Sequence, residues 1–127
     1  MTEPARYEIL IEAIAEYVPA QSSPNDSHYA FVYRITITNR SSVPVQLLRR
    51  HWIITDGSGG VEEVRGDGVV GEQPVIAPGG QHRYSSGAFL STPVGTMHGS
   101  YQMRASDGHT FDAPIAPFRL AVPHRLN

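Results

Sequence analysis

Gly66-Asp67-Gly68-Val69-Val70-Gly71 spells G-x-G-x-x-G, the spacing at which loop amides and a helix N-terminus meet a pyrophosphate in dinucleotide-binding proteins. That chemistry needs a strand before the glycines and a helix opening within them. Pro74 and Pro78 follow too closely for a helix of useful length, so the dinucleotide reading is set aside. Two readings of the segment stay open. In the first, the glycines permit positive φ in an irregular loop that leads into a strand. In the second, consecutive amides form a nest for phosphate, pyrophosphate or a nucleotide, helped by Arg50 or Arg65. Arg49-Arg50-His51-Trp52, with Arg34 expected on the neighbouring strand and Arg65 before the glycines, is the chain's basic concentration. Its guanidinium groups suit bidentate bonding to phosphate or an acidic partner, or lie along a sheet with their stems covering apolar area.

Other reactive groups are dispersed. The six histidines show no H-x-H or H-x-x-x-H pairing, so no metal site is expected; His82, His98 and His109 are weak candidates that only adjacent strands would bring together. Alternation turns His98 to solvent with Ser100, Gln102 and Arg104, sets His82 inward or at an edge with Tyr84, and places His109 beside a turn with Phe111. Ser85 and Ser86 lack both the G-x-S-x-G elbow and a local base. Asp107 and His109 have the spacing of turn chemistry, and the adjacent Glu62 and Glu63 face opposite sides of a strand. With no Cys and no Lys, thiolate and Schiff-base chemistry are excluded. The expectation is a protein that is not an enzyme and carries no cofactor.

The elements that would position these residues follow from punctuation. The 127 residues include 12 Gly and 10 Pro, with 40% hydrophobic and 17% charged residues, a composition that suits one compact domain over residues 1–127 with flexible ends at 1–6 and 124–127. Net charge is −2 and all ten basic residues are Arg, so no broad basic face for nucleic acid is implied. No apolar run approaches the ~18 residues of a membrane helix. Glu8, Glu12 and Glu16 interrupt the first apolar stretch as no secretory signal would, which predicts a cytoplasmic location. Turn signals at Pro19–Asp26, Asn39–Pro44, Asp56–Gly60, Gly66–Pro74, Ala77–Gly80 and Ser106–Gly108 fall near the spacing of an all-β sandwich or barrel.

Between the turns, Tyr29 to Thr38 alternates cleanly, with Tyr29, Phe31, Tyr33, Ile35 and Ile37 on one face. Val45 to Thr55 is a less regular strand, either bulged or covered on both faces. Trp52 belongs in the core. For the hairpin around Asp107-Gly108, a three-residue loop Ser106-Asp107-Gly108 pairs Met103 with Phe111 and Tyr101 with Ala113, keeping one face apolar. The first segment is ambiguous: Tyr7, Leu10, Ile11, Ile14, Tyr17 and Val18 have helical spacing, whereas Ile9, Ile11, Ala13 and Ala15 alternate.

Taken in order, Ala20-Gln21-Ser22-Ser23-Pro24, Pro44-Val45-Gln46-Leu47-Leu48 through Arg50-x-Trp52 to Ile54-Thr55, Gly68-Val69-Val70-Gly71-Glu72-Gln73-Pro74, Ile76-Ala77-Pro78-Gly79-Gly80, Tyr84-x-Ser86-Gly87, Thr92-Pro93-x-Gly95-Thr96-Met97-x-Gly99-x-Tyr101-x-Met103 and Phe118-Arg119-Leu120-Ala121-Val122-Pro123 resemble the ApaG (CorD-like) family over nearly the whole chain. His82 departs from it, since an aromatic is commoner there. The resemblance implies an immunoglobulin/fibronectin type III-like antiparallel β-sandwich of about seven strands, and so a strand for the first segment. It also implies association with diadenosine tetraphosphate hydrolysis and with cobalt and magnesium tolerance. Related domains in F-box and polymerase-interacting proteins suggest partner recognition. The resemblance carries the glycines at Gly66, Gly68 and Gly71 but neither a ligand for them nor a catalytic residue. The expected role is a non-enzymatic interaction module with a protein partner, or a second copy bound through a sheet face or edge strand. Neither nucleic acid nor membrane is expected as a partner.

Overall fold

A computed structural model describes residues 7–123; the ends expected to be flexible, 1–6 and 124–127, lie outside the described residues. The strands are β1 (Ile9–Tyr17), β2 (Tyr29–Asn39), β3 (Val45–Asp56), β4 (Val61–Asp67), β5 (Val75–Ile76), β6 (Gln81–Leu90), β7 (Val94–Ala105) and β8 (Thr110–Ala121). They form two antiparallel sheets, β1-β2-β6 and β4-β3-β7-β8, the two-residue β5 pairing with β3. This is the immunoglobulin/fibronectin type III-like sandwich, with seven long strands and Trp52 of the third strand buried at its centre.

In β1 the alternating reading prevails. Ile9, Ile11, Ala13, Ala15 and Tyr17 pack on the core, while Leu10, Glu12, Ile14 and Glu16 face out. Ile14, an anchor of the helical pattern, is 67% exposed. Pairing with β2 along the whole strand satisfies the backbone that a three-turn helix would have had to satisfy alone.

The irregular pattern of β3 is a bulge. Its register with β7 shifts between Leu47 and Arg49, so Val45 and Leu47 point inward before it and Arg50, Trp52 and Ile54 after it. The C-terminal hairpin has the expected register, Met103 opposite Phe111 and Tyr101 opposite Ala113, with Gly108 at φ +91° in the three-residue loop. The turn at Ser91-Thr92-Pro93 between β6 and β7 was not among the expected ones, although its proline is a turn signal.

Two buried polar side chains hold the loops to the sandwich. Asn39 donates from Nδ2 to the carbonyls of Val43 (2.9 Å) and Ile76 (2.8 Å) and accepts from the Ser41 amide (2.9 Å). Ser41 Oγ in turn accepts from the Glu8 amide at 2.7 Å. Each of these buried groups is bonded, so each contributes rather than costs stability.

Candidate functional site

The glycine segment folds in on itself. Gly66, still in β4, lies under the Arg50 guanidinium; a Cβ there would sit 2.7 Å from a guanidinium nitrogen. Arg50 Nη1 donates to the carbonyls of Asp67 and Gly68, each at 2.9 Å. Gly68, at φ +62°, approaches the Glu72 carbonyl so closely that a Cβ would lie 2.2 Å from it, and its amide donates to Leu48 O at 2.8 Å. Val69 and Glu72 exchange amide–carbonyl bonds of 2.8 and 3.0 Å around Val70 (φ +49°) and Gly71 (φ +77°), a hairpin of the primed type. The glycines therefore serve close approach and positive φ, and the amides of Gly68, Val69 and Glu72 are bonded within the protein. Arg50 and Arg65 project to opposite sides of the sheet, Arg50 paired with Tyr101 on the inner side and Arg65 with His51 on the outer, although both border one surface depression.

Val70 is a β-branched residue at positive φ, a conformation that costs about 1–2 kcal/mol and that Asn tolerates. As the side chain is 64% exposed, Val70→Asn is expected to stabilise the fold by about 1 kcal/mol. A urea titration checks this; an unchanged or lowered midpoint would show that Val70 makes a contact worth its strain.

Across the outer face of the larger sheet the register aligns Asp67, Arg49, Gln102 and Asp112 in one row, and Arg65, His51, Ser100 and Pro114 in the next. These rows, Pro114 excepted, line a shallow depression of about 610 Å³ together with Arg50 and Gly66. Its ion pairs are peripheral: Arg49–Asp67 at 3.5 Å, Arg65–Glu63 at 3.2 Å and His51–Glu63 at 3.1 Å. Arg49 and Arg65 remain 70% and 73% exposed, so each pair is worth about 0–1 kcal/mol and exchanges partners readily. Arg34 does not join this cluster. It lies in the other sheet, in β2, beside Glu16 at 3.4 Å, so the expectation that it neighbours Arg49 and Arg50 is corrected; chain proximity of β2 and β3 does not make them sheet partners.

The histidines are likewise separated. His82 faces inward from β6, with Nε2 buried, lacking a hydrogen-bond partner and 3.8 Å from a Glu72 carboxylate oxygen. His98 pairs with Ile53 on the outer side of the other sheet and is half-buried rather than freely exposed. His109, at the hairpin tip, stacks on Tyr7 with ring centres 4.4 Å apart. Among the described residues no three His, Asp or Glu side chains gather as a metal ion would require.

One polar cluster was missed. Tyr33 stands opposite Ser86 across the β2–β6 ladder, the hydroxyls of Tyr84 and Tyr101 bond each other across the core, and Arg50 lies within electrostatic range of all three phenols. Burial pushes the Tyr33, Tyr84 and Tyr101 hydroxyls above the ordinary tyrosine value, so they act as hydrogen-bonding groups at neutral pH. The inward parity of Tyr33, Tyr84, Ser86 and Tyr101 along their strands was the available signal.

The chain matches the ApaG domain over residues 19–105. It is 61% identical over 127 residues to Protein ApaG of Aromatoleum aromaticum, with 100% of both chains covered. Protein ApaG of Azotobacter vinelandii is 56% identical over the same length and coverage. A Bordetella pertussis crystal structure described as ApaA superimposes with a TM-score of 0.93 at 47% identity, covering 97% of this chain and 100% of that one. Matched through its sequence, its length and its sandwich, the chain belongs to the ApaG family.

Proposed function

We propose that this domain is a non-catalytic recognition module that takes a carboxylate-bearing segment of a protein partner on the outer face of β4-β3-β7-β8. The observation that carries the reading is the pair of cross-strand rows that set Arg49, His51 and Arg65 around one depression beside the hydrogen-bonding Gln102 and Ser100. An incoming carboxylate, which meets Asp112 at the same depression, competes with Glu63 and Asp67 for guanidinium groups held only by weak surface pairs. Arginine without lysine suits this role, because arginine is enriched at protein interfaces and lysine depleted. The tolerance of cobalt and magnesium implied by the family resemblance would then run through the partner.

The test is charge reversal. Arg49→Glu combined with Arg65→Glu is expected to weaken a partner captured by the wild-type chain by at least about tenfold, whereas Arg34→Glu on the other sheet leaves it unchanged. Equal capture by the double variant and the wild type would sink the reading.

A further inference from the structure

Four long strands end the two sheets, β1 and β6 in one and β4 and β8 in the other, beside the two-residue β5 that pairs only with β3. Three of these edges are guarded. β8 contains Pro114 and Pro117, which remove amide donors. β4 is short, its seven residues including Glu62, Glu63, Arg65 and Asp67. β1 packs beside β8 along the closed flank of the sandwich. β6 differs: it runs for ten residues without proline, Arg83 is its one Lys, Arg, Asp or Glu residue, and among the described residues no strand lies along its outer edge.

The hydrogen-bond phase of that edge can be derived. Val18 N donates to Ala30 O and Arg40 N to Glu8 O, both at 2.8 Å, so the even-numbered residues of β2 bond toward β1. Asn39 N donates to Gly80 O at 3.0 Å, so the odd-numbered residues bond toward β6, where their partners are even-numbered. Gln81, Arg83, Ser85, Gly87 and Phe89 consequently direct both amide and carbonyl away from the sheet.

We infer that β6 pairs antiparallel with β6 of a second copy of this chain, about a two-fold axis at Ser86, fusing the β1-β2-β6 sheets of the two protomers. Antiparallel partners must share a face, and this axis satisfies that condition. It sets Ser85 opposite Gly87, where small side chains let the strands approach, and Tyr84 opposite Ala88. Arg83 falls opposite Phe89, whose ring is 55% exposed and stacked on His28, and a guanidinium over that ring face is attractive. Arg83 never meets its own copy, so no like charges oppose. The pairing uses the sheet opposite the recognition face and leaves that face open, so the two readings stand or fall separately.

Sedimentation equilibrium of the full chain up to about 1 mM is expected to show a dimer. The Arg83, Ser85, Gly87 and Phe89 amides should gain protection from hydrogen exchange as it forms. Phe89→Lys sets cation against cation and is expected to weaken the dimer at least about tenfold. Adding Arg83→Glu to Phe89→Lys is expected to restore it through a cross-strand ion pair that exists only in this register. Circular dichroism confirms that both variants remain folded. A monomer throughout, a dimer indifferent to Phe89→Lys, failure of the double variant to restore association, or protection that appears only when a different protein is added would each overturn the inference.

Discussion

Gly99→Ala is expected to destabilise the domain by about 3 kcal/mol, the upper end of what forced overpacking costs. Gly99 sits in β7 opposite Trp52 of β3, and a Cβ there would lie 1.9 Å from the His51 carbonyl oxygen and 3.1 Å from the Trp52 Cα. These are backbone atoms, with no flexible side-chain end to swing aside, so the ladder between the two central strands must part. On the other side of β7 the pairing with β8 is already irregular between Met97 and Gly99, which leaves little regular pairing to absorb the shift. Gly87→Ala in β6 is the control, because a Cβ there meets only the Phe31 carbonyl, at 3.6 Å. An alanine in that open strand position is expected to be neutral or stabilising by about 0.5 kcal/mol. Denaturant titrations of both variants decide the matter: equal midpoints would show that the close approach at Gly99 is not what holds β3 and β7 together.

Trp52→Ala is expected to cost about 3–5 kcal/mol, a large part of the 5–15 kcal/mol that stabilises a typical domain. The indole is 2% exposed and sits edge-on to Tyr101 and Phe118, with ring centres 6.1 and 5.9 Å away, and against Tyr33 at 5.3 Å. Truncation removes the ring that joins both sheets and leaves a cavity between rigid backbones. Trp52→Phe is expected to cost less, about 1–2 kcal/mol. Trp52 Nε1 is buried without a hydrogen-bond partner, so losing the N–H orphans no acceptor and removes a desolvated donor. Far-ultraviolet circular dichroism in urea measures both. A Phe variant as unstable as the Ala variant would mean that the indole N–H is bonded in solution.

Legibility in the sequence tracked how local the physics was. The β2 alternation, the β3 irregularity and the Ser106-Asp107-Gly108 loop depend on neighbouring residues, and each is present in the structure. The G-x-G-x-x-G spacing was legible as a turn but not in its detail. Gly68 is required by the Glu72 carbonyl, and Gly66 by a guanidinium arriving from another strand. Arg34 was misplaced because sheet partnership in a sandwich depends on which sheet a strand joins, and β2 and β3 join different ones. The tyrosine cluster went unseen for a related reason: Tyr33 and Tyr84 lie on strands distant in the chain that become neighbours in one sheet, and Tyr101 joins them only when the sheets stack.

The amino-acid sequence by itself determined that this protein is a turn-rich, cysteine-free chain of extended segments with an apolar side to each, because alternation and turn chemistry act over a few residues. Only the tertiary structure decided which residues of β1 face the core, that Arg50 turns inward while Arg49 and Arg65 share an outer face, and that β6 ends its sheet among the described residues. Those outcomes depend on pairing between residues distant along the chain. A single bulge or a change of sheet reverses the direction of every side chain beyond it.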